Sequence, residues 1–190
     1  MPKYKRKELK EFREDGVITP LEYAEFHKLW SLIRENEYRM LFTLVYFTGS
    51  RPVELRNLRV EDFKIDESKK IMFVRLHPAK KGIIRMFPLP LRYPEVKEIA
   101  SYIKHFDVGT VVFPNFSMKK NPSDILYYHW KKHGVNIRPY YLRHNRFSLL
   151  AMMGVESTVI RILKGAKSLN SVTYYEHLNP RKVEEVASLL

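Results

Sequence analysis

Cysteine is absent from the 190 residues. That excludes disulfides, thiolate nucleophiles and cysteine-ligated zinc. Long hydrophobic runs are missing too, since no stretch approaches the ~20 apolar residues that cross a bilayer. The N-terminus, Met1 to Arg13, is charged and lacks the apolar centre of a signal peptide. Nowhere is there an HExxH zinc motif, a glycine-rich nucleotide loop or a paired-glycine fingerprint. The seven histidines are scattered without ligand spacing, so neither a metal nor an organic cofactor is expected. Negative charge is in short supply: Asp and Glu number 21 against 34 Lys and Arg, a formal net charge of +13. Such an excess attracts polyanions, with nucleic acid the first candidate and an anionic membrane surface the second.

What is present is a globular composition, 45% hydrophobic and 13% aromatic, in a length that suits one domain with a substantial core. These features together lead us to expect a soluble cytoplasmic protein without a membrane partner. Residues 1–16 form a polar, mixed-charge lead-in, and order is expected from Thr19. Thr19-Pro20-Leu21-Glu22 has the form of a capping box with proline at the first helical position. The apolar stripe after it, Leu21, Leu29, Trp30, Leu32 and Ile33, predicts a helix to about Asn36. A nearly continuous apolar helix follows over Glu37–Phe47, broken at Thr48-Gly49-Ser50 and reopened by Pro52 to about Asn57.

Two short strands are predicted, Ile71–Leu76 and Ile83–Phe87, flanking a turn that carries Lys80 and Lys81. Further helices are expected from Pro94 to about His105, from a cap at Ser123 to His133, over Tyr141–Met153 and over Thr158–Leu163. Gly154 punctuates the last two, and an amphipathic helix closes the chain over about Arg181–Leu190. No repeat or low-complexity tract is visible. The fold class is therefore mostly α (α+β), helices with one small antiparallel sheet.

The residues with chemical potential are arginines, lysines and tyrosines placed beside breaks in secondary structure. Such a set suits a phosphate diester. Cationic donors hold the non-bridging oxygens and stabilise the charge that develops on them, and a phenol can act as nucleophile without a metal.

Four ordered segments resemble the catalytic boxes of the tyrosine recombinases and phage-type integrases. Thr48-Gly49-Ser50-Arg51-Pro52-Val53-Glu54-Leu55 is similar to the first box, T-G-x-R-x-x-E-L. Tyr141-Leu142-Arg143-His144 resembles the second, H-x-L-R-H. The family's glycine-led helix, Leu-x-Gly turn and terminal tyrosine fall at Gly154, Leu163-Lys164-Gly165 and Tyr175, with Tyr175-Glu176-His177 matching its Y-x-H ending. The family's hairpin lysine lies eight residues before a strand-ending proline, which from Pro88 gives Lys80. The likeness spans about Thr19 to Leu190. It departs at Tyr140, where the first histidine of H-x-x-R is expected, and at Ala166, where a histidine or tryptophan is expected, with Lys167 next. YxxR forms of the second box occur among archaeal plasmid and virus integrases, the branch this chain looks most similar to.

The resemblance implies a helical catalytic domain over residues 17–190 that cleaves and rejoins double-stranded DNA through a covalent 3′-phosphotyrosine. In that scheme Arg51 and Arg143 clamp the phosphate, Tyr175 attacks and Lys80 protonates the leaving 5′ oxygen. It also implies a homotetramer on DNA assembled through the C-terminal helix, and an N-terminal core-binding domain upstream, for which residues 1–16 read as the linker. A type IB topoisomerase-like activity and a DNA-binding relative with weakened catalysis are the alternatives.

Each residue has a plainer reading. Arg51 alone would be a helix-start arginine in a surface ion pair, and Glu54 one turn on is expected to orient it. Arg143, on a buried helix, needs an anion, either a carboxylate or the substrate. Lys80 and Lys81 would otherwise be a solvated hairpin tip. Tyr175 has rivals in Tyr174, Tyr140 and Tyr141, and spacing from Gly165 favours it. Tyr140 either donates its hydroxyl to phosphate or packs, His144 is expected to be structural, and Lys167 is a candidate phosphate contact.

Overall fold

The computed structural model describes residues 20–79 and 83–165, together with the backbone of 13–14 and 17–18. Proline sets the helix starts. α3 (Pro52–Leu55), α4 (Pro94–Ile103), α5 (Pro114–Ser117), α6 (Pro122–Lys132) and α7 (Pro139–Met152) each carry proline in the first helical turn. Its missing N–H costs nothing there, because the first amides of a helix lack intrahelical acceptors anyway. α6 thus begins one residue before the expected Ser123 cap, and α7 two residues earlier than expected, which puts Tyr140 inside its first turn. α5 was not anticipated from the sequence.

The N-terminal helix corrects the capping-box expectation. α1 spans Tyr23–Leu32, with Glu22 as its N-cap and no side-chain cap. Tertiary contacts fix its entry: the Leu21 N–H donates to Asn145 Oδ1 at 2.6 Å, and Tyr46 Oη–H donates to the Leu21 carbonyl at 3.3 Å. Ahead of it, the backbone of β1 (Arg13–Glu14) pairs antiparallel with β2 (Val17–Ile18), where the reading as a linker anticipated no structure.

α2 (Asn36–Thr48) runs through the centre of the molecule. Every residue from Met40 to Thr48 is buried, as expected for a helix apolar on all sides. α7 lies along it, and α1, α4 and α6 pack around it. Trp130 of α6 is fully buried, with its indole N–H donating to the Tyr38 carbonyl at 3.0 Å.

The sheet has three strands where two were expected. β3 (Phe63–Asp66), β4 (Ile71–Leu76) and β5 (Arg85–Pro90) are antiparallel in that order. β3 escapes sequence reading because it is four residues long and carries two charges, Lys64 and Asp66. β5 begins later than expected and continues through Pro88 and Pro90, which pair in register with Phe73 and Ile71. Proline is tolerated there because β5 is an edge strand. Ile83 and Ile84 precede the strand. Leu76 pairs with Arg85 and so closes the loop 77–84, whose residues 80–82 lie outside the described residues. α8 (Ser157–Lys164) follows Gly154 and packs against α7 and β5. Among the described residues no helix is long and apolar enough to cross a membrane.

Candidate active site

The turn after α2 is built around one glycine. Gly49 caps the helix with φ 60°, and its N–H donates to the Val45 carbonyl at 2.9 Å. A Cβ at this position would lie 2.8 Å from Phe147 Cε2. Both the left-handed backbone and the close approach of α7 therefore demand glycine. Thr48 Oγ1 accepts the Ser50 N–H at 3.1 Å and tightens the turn. The chain leaves it at Arg51, the N-cap of α3.

Arg51 is held by Glu54, as expected from the sequence. Its backbone N–H donates to Glu54 Oε2 at 2.7 Å and its Nη1 to Oε1 at 3.1 Å. The Arg51 side chain is 46% exposed, whereas the carboxylate is 1% exposed. The guanidinium thus keeps an open side while its other edge is fixed.

Arg143 reaches the same turn from α7. It is buried, with Nη1 donating to the Gly49 carbonyl and Nη2 to the Lys164 carbonyl at 2.5 Å. Among the described residues its guanidinium bonds two peptide oxygens and no carboxylate. Burial, with the Arg51 charge adding to it and Glu54 opposing, brings its pKa down to about 10, so it stays cationic at neutral pH. Two cationic side chains from separate elements therefore converge on one glycine turn, an arrangement suited to a phosphate.

Tyr140 is 61% exposed, and its ring stands edge-on to His144 at 4.3 Å between centroids. It does not pack into the core. Burial, and then the charges of Lys164 and Arg143, lower the His144 pKa, which leaves the ring neutral at pH 7. Lys80, Lys167 and Tyr175, together with Ala166 and the helix expected over Arg181–Leu190, lie outside the described residues.

Sequence reading missed Arg85. It is 1% exposed, places Nη2 at 2.5 Å from Glu54 Oε1, and donates from Nη1 to the Leu163 carbonyl at 2.8 Å. Its only signal was a single charge inside an otherwise apolar strand.

A second polar cluster lies at the base of the hairpin. Asp62 Oδ1 accepts from Arg75 Nε at 3.0 Å and contacts His77 Nε2 at 2.8 Å, while Oδ2 accepts the Arg59 N–H at 3.0 Å. Burial alone would raise the Asp62 carboxyl, but these three contacts outweigh it and hold its pKa below the ordinary value. A cavity of about 450 Å³ opens here, lined by Val53, Asn57, Arg59, Arg75 and His77 among others. Among the described residues no three His, Asp or Glu side chains gather as a metal site would require.

This layout, a central helix with a glycine turn, two converging arginines and a three-stranded sheet beside them, is the catalytic-domain fold of the tyrosine recombinases. The sequence pattern of the phage integrase family matches residues 21–182, and the chain belongs to that family. The tyrosine recombinase XerA of Pyrococcus furiosus is 27% identical over 172 residues, covering 85% of this chain and 58% of that protein. The chain thus spans little more than half the length of this curated relative. Among solved structures, the integrase of mycobacterium phage Brujita aligns over 94% of this chain and 60% of its own, with a TM-score of 0.64 and 18% identity. The XerH recombinase bound to its difH substrate before cleavage aligns over 90% of this chain and 52% of its own, with a TM-score of 0.60 and 21% identity.

Proposed function

We propose that this chain is the catalytic domain of a site-specific recombinase that cleaves and rejoins duplex DNA through a 3′-phosphotyrosine. The observation that carries the reading is the convergence of Arg51 and Arg143 on the Gly49 turn, the first half-exposed beside Glu54 and the second bonded to two peptide oxygens. In the reaction Arg51 and Arg143 hold the non-bridging oxygens of the scissile phosphate. The Tyr175 oxygen attacks phosphorus and gives up its proton to water; the bond from phosphorus to the 5′ oxygen breaks, and that oxygen takes a proton from Lys80. The new phosphotyrosine is itself a diester, so attack by a 5′-hydroxyl reverses the step at no cost in bond type.

Tyr140 stands at the position of the missing histidine. Its exposed hydroxyl is available as a further donor to the phosphate, and Lys167 does the same service beside Ala166. Double-stranded DNA is the partner, and paired sites are exchanged in a tetramer whose protomers are linked by the Arg181–Leu190 helix. The family membership and the DNA-bound XerH relative support DNA as substrate. The enzyme works in the cytoplasm on nucleoid DNA.

Incubation with a nicked suicide substrate tests the reading. A covalent protein–DNA adduct on a denaturing gel is expected with the native chain and none with Tyr175→Phe. An adduct that persists in Tyr175→Phe and disappears in Tyr174→Phe would move the nucleophile by one residue; no adduct from any form would sink the proposal.

A further inference from the structure

We propose that Arg85 is a positioning residue of the cleavage reaction, tying the strand that leaves the Lys80 loop to the helix end that precedes Tyr175. The inference rests on the recombinase reading above.

A fully buried guanidinium is expensive to desolvate, and an apolar side chain of similar volume often fills such a place at equal or lower cost. Its contacts therefore need an explanation beyond packing. Arg85 is the first residue of β5, paired with Leu76, so its backbone closes the loop 77–84 that carries Lys80. Its Nη2 forms an ion pair with Glu54 Oε1 at 2.5 Å, the oxygen that accepts a hydrogen bond from Arg51 Nη1. Its Nη1 holds the Leu163 carbonyl at 2.8 Å, one of the acceptors that a helix C-terminus leaves without an intrahelical partner. Gly165 seats against the same group: a Cβ there would stand 3.1 Å from Arg85 Nε, and the residue has φ 65°. The neighbouring Lys164 carbonyl is taken by Arg143.

One buried cation therefore touches the supports of three reacting groups. It meets Arg51 through the shared carboxylate, the start of β5 through its own backbone, and the end of α8 through the Leu163 carbonyl; along the chain Lys80 lies five residues before it and Tyr175 ten residues after Gly165. Arg85 is itself sealed from solvent at 1% exposure and does not reach a phosphate bound at the exposed face of Arg51. It acts by geometry. Displacing reacting groups by about 1 Å costs on the order of 10²-fold in rate, and that is the effect expected from its removal.

The test compares the native chain with Arg85→Met, Arg85→Lys and Gly165→Ala. It measures DNA affinity, single-turnover cleavage of an ordinary suicide substrate and of one with sulfur at the leaving 5′ position, and melting temperature. Arg85→Met should bind DNA within about threefold of the native chain while cleaving about 10²-fold more slowly. Arg85→Lys, which keeps the charge beside Glu54 but loses the bond to the Leu163 carbonyl, should recover part of that rate. Sulfur, which leaves without a proton, should fully restore Lys80→Ala but only partly restore Arg85→Met, because the nucleophile is misplaced as well. Gly165→Ala, which presses a methyl group on the same guanidinium from the other side, should show the same split between binding and cleavage if Arg85→Met does not fold. Native cleavage by folded Arg85→Met, parallel loss of binding and cleavage, or complete rescue by sulfur would each overturn the proposal. Failure of the native chain itself to form an adduct would instead overturn the recombinase reading beneath it.

Discussion

Arg51 and Arg143 point at one turn but differ in what else they hold, and this separates their expected mutant phenotypes. Each substitution by alanine should slow cleavage by roughly 10²-fold or more, the usual loss for a transition-state donor. Arg143 also links the Gly49 and Lys164 carbonyls from a buried position, so Arg143→Ala should lower the melting temperature too. Half-exposed Arg51 bonds only Glu54 among the described residues, so Arg51→Ala should lower the melting temperature less than Arg143→Ala. Gly49→Ala is expected to destabilise by about 1–3 kcal/mol from backbone strain alone, with the Phe147 contact adding to it; chemical denaturation would measure this.

Asp62 gives a pH signature. Its carboxyl is held below the ordinary value by Arg59, His77 and Arg75 despite burial, so its stabilising contribution is complete above the unfolded carboxylate value of about 3.9. That contribution is lost as pH falls through the lower, folded value. Asp62→Asn should therefore lower the melting temperature at pH 7, and the gap to the native chain should narrow in acid. A gap independent of pH would place the effect in the hydrogen bonds and not in the charge.

At the scale of elements, helices were the legible part of the sequence. α2 announced itself by apolar residues on every side and by Gly49, and the prolines at helix starts located α3 and α4. What failed to show had physical reasons. β3 is short and half charged, α5 is one turn long, and the later start of the expected α1 follows a residue, Leu21, held by Asn145, 124 residues away along the chain, a partner that no local pattern reveals. The site divides in the same way. Arg51, Glu54 and Arg143 follow from box motifs and local geometry, whereas Arg85 depends on a meeting of β5, α3 and α8 that exists only in three dimensions. The hairpin β4–β5 carries its own prediction. Lys80→Ala should slow cleavage strongly and be rescued by sulfur at the leaving position, while Lys81→Ala should need no rescue; equal behaviour of the two would remove the general-acid assignment from Lys80.

For the whole molecule the dominant property is charge. An excess of +13 predicts DNA affinity that falls steeply with salt, each phosphate contact adding about −0.9 to the slope of log K against log salt. Fluorescence anisotropy across a salt series would measure this, and a flat response would remove electrostatics from the account of binding.

The carboxylate shared by Arg51 and Arg85 has a consequence for how variation can accumulate in this domain. Both cations lean on Glu54 Oε1, one from the solvent side and one from the interior, so neither position is energetically independent of the other. Loss of Arg85 leaves Glu54 answering to Arg51 alone, and loss of Arg51 leaves it to Arg85. A double-mutant cycle between the two arginines should accordingly show a coupling energy of about 0.5–3 kcal/mol. With either arginine gone the buried carboxylate keeps one cationic partner, so loss of both is expected to cost more than the sum of the two single losses.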